Sequence, residues 1–432
     1  MIETPSLRSI GFRPREILAM INQEVIDQHA EEAAFLWTQR DHAVTAPQYA
    51  LKHLAKLDER VEAHVDGLRV AASAGWTTAA ANLEQGPGEA FAASVLAFES
   101  GDAERIDVVL KVGCSAPPLT RGLISALGWI EQDVAAREAR KLIGSAEPEV
   151  RRAGIATMAV HRQDPGSLLN EAVVDPSPRV AARGMRAAAE LGRGDLAVAL
   201  SDRLSDADDE CRFWAAWAVV RLRGRRMSDA LSILRGFVES DGPKAESGVE
   251  IAFRAVDVAE GNSWRQRLGR EPDTARLGMV AAGAIGDPAA VPDLLAQMAN
   301  PELARVAGRA FSMITGADFD YEDLTGHAPA VPNADDDDDK LFSGPDSDLP
   351  WPSARAVQEW WSSRAARFVP GVRHLLGKPI TDESLLDALA RGCQNQRAAA
   401  ALELALRNPS QVLFETRERA QRQWKKVAQW NS

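Results

Sequence analysis

The chain reads as an all-α solenoid of stacked helix pairs, and three observations predict it. A small residue returns at a near-constant interval. Ala92, Gly122, Gly154, Gly184, Ala215, Gly248, Gly278 and Gly308 are separated by 30, 32, 30, 31, 33, 30 and 30 positions. Each lies in an apolar, alanine-rich stretch of helical character, as in 150-VRRAGIATMAV-160 and 275-ARLGMVAAGAIG-286. Turn signals fall at a similar phase. Pro148, Pro178, Asp208-Asp209 and Pro301 precede the helix that carries the small residue, and Pro165-Gly166 and Gly286-Asp287-Pro288 mark turns between paired helices. A period of this size marks units too small to bury their apolar faces alone, which therefore stack on their neighbours. Glycine inside a helix costs about 1 kcal/mol relative to alanine. Its return in phase implies a packing purpose, the close approach of two helix axes.

Residues 1–85 stand outside the period and read as an N-terminal helical cap. In 28-QHAEEAAFLWTQRDHAV-44, Ala33, Phe35, Leu36 and Trp37 fall on or near one face. In 47–72, Leu51, Leu54, Leu57, Val61, Val65 and Leu68 recur at spacings of three and four, and Pro47 suits a first turn. A cap of this kind closes the exposed apolar end of a repeat array. Residues 86–316 form the array. Within it 211-CRFWAAWAVVRL-222 places Trp214 and Trp217 on one helix face. Residues 317–350 break the pattern, and the run Asp335–Asp339 reads as a solvated acidic loop. Residues 351–432 form a helical extension. It contains 353–368, then 381–408 with Thr381 as N-cap, then a basic amphipathic tail over 415–430 carrying Arg419, Arg422, Lys425 and Lys426.

Bulk composition bounds the function. The 432 residues are 45% hydrophobic and 26% charged, with a net charge of −12. Such a chain has no general basic excess, so nucleic acid is not the expected partner. Three dispersed cysteines, Cys114, Cys211 and Cys393, lack the spacing of a disulfide framework or a zinc site. No charged region followed by an apolar one opens the chain, and no uncharged apolar run approaches a membrane span. A cytoplasmic protein without membrane association is expected.

Paired helices with a period near 30 and Ala/Gly-rich second helices resemble HEAT-type repeats over about residues 86–316. The motif 29-HAEEAAFLW-37 with Arg40, the stretch 57-LDERVEAHVDGLR-69, the Trp360-Trp361 pair, 368-FVPGVRHLLGKP-379 and 396-QRAAAALELAL-406 extend the likeness. Together they resemble a family of uncharacterised bacterial HEAT-repeat-like proteins often encoded among type VI secretion genes. The resemblance implies an accessory or adaptor protein in effector delivery, with a secretion effector or its adaptor as partner. It implies no reaction.

Candidate chemistry is sparse. Glu32, Arg40, Arg60 and His64 make an N-terminal polar cluster, read either as a satisfied inter-helix network or as the seat of an unknown activity. HExxH is absent, and His53 and His64 lie roughly 16 Å apart along a helix, too far to share a metal. Cys393 with Arg391 and His374 could form a thiol site, against the simpler reading of a buried structural cysteine. No G-x-S-x-G, GxGxxG or GxxxxGK[ST] motif occurs, and no cofactor or metal is expected. Trp214, Trp217, Trp360 and Trp361, with Arg419, Arg422, Lys425 and Lys426, are the candidate partner-binding residues, because tryptophan and arginine dominate binding hot spots. A protein-binding scaffold is the expected function. A DNA-interacting solenoid and an enzyme using the N-terminal cluster are the alternatives.

Overall fold

The computed structural model describes residues 22–328 and 345–430. The start of the chain and the Asp335–Asp339 run lie outside the described residues. The fold is all-α, a helical-repeat, solenoid-like arrangement with one two-residue hairpin among the described residues. Two compact units divide the described residues: 22–38 with 59–127, and 39–58 with 128–328 and 345–430.

The helices are α1 (Gln23–Ala43), α2 (Leu51–Val70), α3 (Ser73–Ala81), α4 (Pro87–Ser100), α5 (Ala103–Gly113) and α6 (Pro117–Trp129). All six apolar residues read from the α2 pattern are buried. Helix α2 starts at Leu51, so Pro47 lies in the turn before it rather than in its first turn. The reason is local pairing. Ala50 bridges to Cys393, and the Ala50 amide donates to His53 Nδ1 at 3.1 Å, which holds residues 47–50 out of the helix. In α1, Ala33, Leu36 and Trp37 are buried but Phe35 is 57% exposed. Two steps of 100° carry Phe35 about 200° round from Ala33, to the opposite side of the helix. In the first unit Trp37 stacks on Phe91 at 5.4 Å. A Cβ at Gly122 would stand 2.1 Å from the Pro87 carbonyl oxygen, so only glycine permits that approach.

The second unit is built from helix pairs: α7 (Gln132–Ile143) with α8 (Pro148–Val160), α9 (Ser167–Val173) with α10 (Pro178–Glu190), and α11 (Ala197–Asp202) with α12 (Asp209–Arg221). Then follow α13 (Met227–Glu239) with α14 (Ala245–Ala255), α15 (Val258–Leu268) with α16 (Ala275–Ile285), and α17 (Val291–Gln297) with α18 (Ala304–Thr315). Each second helix also packs on the next second helix, which makes a continuous row from α8 to α18. The recurring small residue sits on every member of that row. Its packing purpose is plain at Gly154 and Gly184, where a Cβ would meet partner backbone at 2.8 Å. It is absent at Gly308, where a Cβ would make ordinary contacts of 3.4 Å or more.

The row has a second periodic feature. Just past the ends of α8, α10, α12, α16 and α18, a residue turns into the left-handed region: Arg162, Gly192, Arg223, Gly286 and Gly316. This turn ends a helix by satisfying its last carbonyls. Arginine pays about 1–2 kcal/mol there that glycine avoids. Both arginines reach the C-terminal segment: Arg162 Nε donates to the Leu413 carbonyl at 2.6 Å, and Arg223 Nε to the Leu406 carbonyl at 2.9 Å.

That segment runs along these corners for much of its length. After α19 (Ala354–Arg364) comes the hairpin β1 (His374–Leu375) and β2 (Lys378–Pro379), then α20 (Asp382–Arg391), α21 (Gln394–Arg407) and α22 (Ala420–Trp430). The His374 amide donates to the Gly286 carbonyl at 2.7 Å, and the Leu413 amide to the Glu190 carbonyl at 2.8 Å. Arg221 donates to the carbonyls of Pro409 and Gln411. The sequence run 381–408 is thus two helices. Gly392 ends one, and Cys393 caps the next. Thr381 is the N-cap of α20, within a capping box with Ser384.

Candidate functional site

A cavity of about 530 Å³ lies between the row of second helices and the C-terminal segment. Helix α12 supplies Trp214 and Trp217. The spacing of three puts both rings on one side, with centroids 5.8 Å apart and planes at 67°. Trp217 is buried and Trp214 half-buried. Arg186 of α10 lies over the Trp214 ring at 4.7 Å, and the Lys244 ammonium stands 5.0 Å from it. Apolar lining comes from Val280, Met313, Leu402, Leu413 and Phe414.

One end of the cavity is an ionic cluster assembled from three parts of the second unit. Glu190, the last residue of α10, pairs with Arg186 at 2.8 Å, Arg183 at 3.2 Å and Arg162 at 3.5 Å. Glu415 of the C-terminal segment pairs with Arg417 at 2.9 Å and Arg162 at 3.1 Å. Burial alone would raise both carboxyl groups. Arg183, Arg186 and Arg162 overcome it at Glu190 and hold that carboxyl at about 2. Arg417 and Arg162 hold Glu415 lower than the usual carboxylate range. Burial also pushes the Arg183 guanidinium down to about 10, and Arg186, Arg162 and Arg417 push the same way against Glu190. The other wall is balanced. Glu246 pairs with Arg276 and Arg309, both at 3.0 Å. Arg254 lies between Glu250 and Glu403.

The sequence analysis named the two tryptophans but not this cluster. Part of it was legible, since Arg183, Arg186 and Glu190 follow at spacings of three and four on an alanine face. Nothing local ties them to Glu415 and Arg417, more than 220 residues away.

The other predicted residues fall elsewhere. Trp360 and Trp361 are half-buried, and both pack on Phe311, at 5.5 and 6.2 Å. In the tail, Arg419 lies over the Trp129 ring at 4.5 Å. Arg422 donates to the carbonyls of Gly128, Trp129 and Ile130, and Lys426 pairs with Glu418. Lys425 is exposed.

The N-terminal cluster divides. In the first unit, His64 Nδ1 lies 3.2 Å from His29 Nδ1. Burial lowers the His64 pKa, His29 and Arg60 lower it further, and Glu32 opposes them. Arg40 belongs to the second unit. It is buried, donates to Asp58 at 2.8 Å, and also reaches the Glu418 carbonyl.

Cys393 makes no hydrogen bond to His374. Its sulfur caps α21, and burial pushes its thiol up, with Asp318 acting the same way against Lys52. His374 Nδ1 bonds to the Val372 carbonyl at 2.8 Å. A raised thiol is a poor nucleophile. The three cysteines form no disulfide. Among the described residues no group of three His, Cys, Asp or Glu is placed to hold a metal ion. No described helix is long and apolar enough to cross a membrane.

No protein-family model matches the chain, and no curated protein matches it significantly.

Proposed function

We propose that the chain is a protein-binding scaffold or adaptor that takes its partner on the inner row of second helices. One observation carries this reading. Trp214, Trp217 and a set of arginines surround a cavity of about 530 Å³ on packed helices. Tryptophan and arginine in a preformed pocket are the composition of binding hot spots. Because the helices that carry them are already packed, binding requires little ordering. The likeness of the chain's two ends to proteins encoded among type VI secretion genes makes an effector, or its adaptor, the partner class.

The test is capture of partners by the tagged full chain from its native lysate, at low and high salt, beside a Trp214→Ala variant. A discrete protein retained at high salt by the wild type and lost from the variant is the expected result. Retention of nucleic acid alone, released as salt rises, would instead mark phosphate-driven binding.

A further inference from the structure

The charge around the cavity is uneven, and the imbalance identifies a ligand. Four guanidinium groups, Arg162, Arg183, Arg186 and Arg417, face two carboxylates, Glu190 and Glu415. Asp41 adds a further negative charge near Arg417. A positive excess remains in a partly desolvated site. Such an excess is costly unless an anion joins it. The depressed Arg183 guanidinium shows the same incomplete compensation. Two of the four arginines are reachable: the Arg186 side chain is 33% exposed and that of Arg417 is 35%. A cationic ligand is disfavoured, because Arg186 and Lys244 already lie against Trp214. The opposite wall adds no net demand, since Glu246 and Glu250 are paired with arginines.

We propose that the cavity binds a carboxylate carried by a peptide segment of the partner, held by Arg186 and Arg417, with a neighbouring apolar side chain against Trp214. A guanidinium suits a carboxylate because its forked N–H donors match the two oxygens. The apolar lining, including Leu413, Phe414 and Met313, extends beyond what a lone carboxylate fills. A peptide bearing both features is therefore the committed occupant. This inference rests on the scaffold reading and specifies its ligand.

The experiment uses the full chain and fluorescence polarisation. The probes are fluorescein-labelled decapeptides with one Glu in an apolar, aromatic context, each beside its Gln twin. The Glu forms should bind about tenfold tighter than their twins, the value of one charge-assisted hydrogen bond. Arg186→Gln and Arg417→Gln should each remove that preference, and Trp214→Ala should weaken both forms. Glu359→Gln, an exposed change on α19 outside the cavity lining, should leave the preference intact. Circular dichroism and the thermal midpoint establish that each variant is folded, and Trp214→Phe serves if Trp214→Ala is not. Equal binding of the twins, no binding of any decapeptide, or a preference that survives both arginine changes would overturn the proposal. Free glutarate binding as tightly as the peptides would overturn the peptide occupant in favour of a small acid. A lysate partner captured equally by wild type and Arg186→Gln would sink this inference and leave the scaffold reading standing. Failure of the wild type to capture any partner would sink that reading instead.

Discussion

Two polar clusters of the chain differ in how their charges are balanced. At the cavity Glu190 and Glu415 are buried, each held by at least two arginines drawn from the corner after α8, from α10 and from the C-terminal segment. At the N-terminal cluster Glu32 and His64 are half-buried, Arg60 is exposed, and all come from two sequential helices. Buried charges are interdependent, because removing one leaves its partners uncompensated in a low dielectric. Half-exposed charges are screened, and water replaces a lost partner. The lesson concerns where function can reside. A buried cluster fixes geometry and leaves an imbalance that a ligand can relieve. An exposed one tolerates change and carries little positional information.

The largest expected effect tests this directly. Glu190→Gln removes one of two carboxylates facing four guanidinium groups and should destabilise the second unit by about 3–5 kcal/mol. Glu32→Gln should cost under about 1 kcal/mol. Urea unfolding of both variants beside the wild type measures the contrast. Equal losses would break the comparison.

A middle-sized effect tests the seam between the helix row and the C-terminal segment. Gly192 has a φ of 71°, and a Cβ there would stand 2.6 Å from the Ser410 carbonyl oxygen. Gly192→Ala combines backbone strain with a backbone clash, so a loss of about 2–3 kcal/mol is expected. Gly166→Ala is the control, since it shares the positive φ but meets nothing within 4 Å. If the two substitutions cost the same, the contact with residues 410–411 contributes nothing and only the turn matters.

The same seam shows what was legible in the sequence. The period, the turn prolines and the helix row were readable because each arises from residues within one unit of about 30. The left-handed corners were half-readable, since Gly192, Gly286 and Gly316 look like helix stops while Arg162 and Arg223 do not. Those two arginines occupy a glycine's position because their side chains bond a segment some 180–250 residues later. Long-range main-chain bonding leaves no periodic trace. For the same reason the ionic cluster of the cavity was not read, whereas Trp214 and Trp217, three apart on one helix, were. The charge pattern of the basic tail suits an exposed face, yet Arg422 bonds the carbonyls of residues 128–130, which no local pattern announces.

The smallest expected effect sharpens the other side of the comparison. Burial and the neighbouring His29 hold the His64 pKa lower than the usual 6.5. Below pH 6.5 the unfolded chain therefore takes up a proton at this position before the folded one does. The unfolded state binds more protons there, so stability rises with pH through this window. The contribution is complete above pH 6.5 and is lost as pH falls towards the lowered folded value. Glu32 opposes the shift and Arg60 adds to it. Urea unfolding of the wild type and His64→Gln at pH 7.5 and 5.5 isolates it. The wild type should lose more stability than the variant on acidification. Glu32→Gln should steepen the wild-type loss, because it removes the neighbouring carboxylate that favours the protonated ring. A variant that acidifies with the same slope as the wild type would mean that neither burial nor His29 shifts this ring, and that the 3.2 Å approach of the two Nδ1 atoms is only packing.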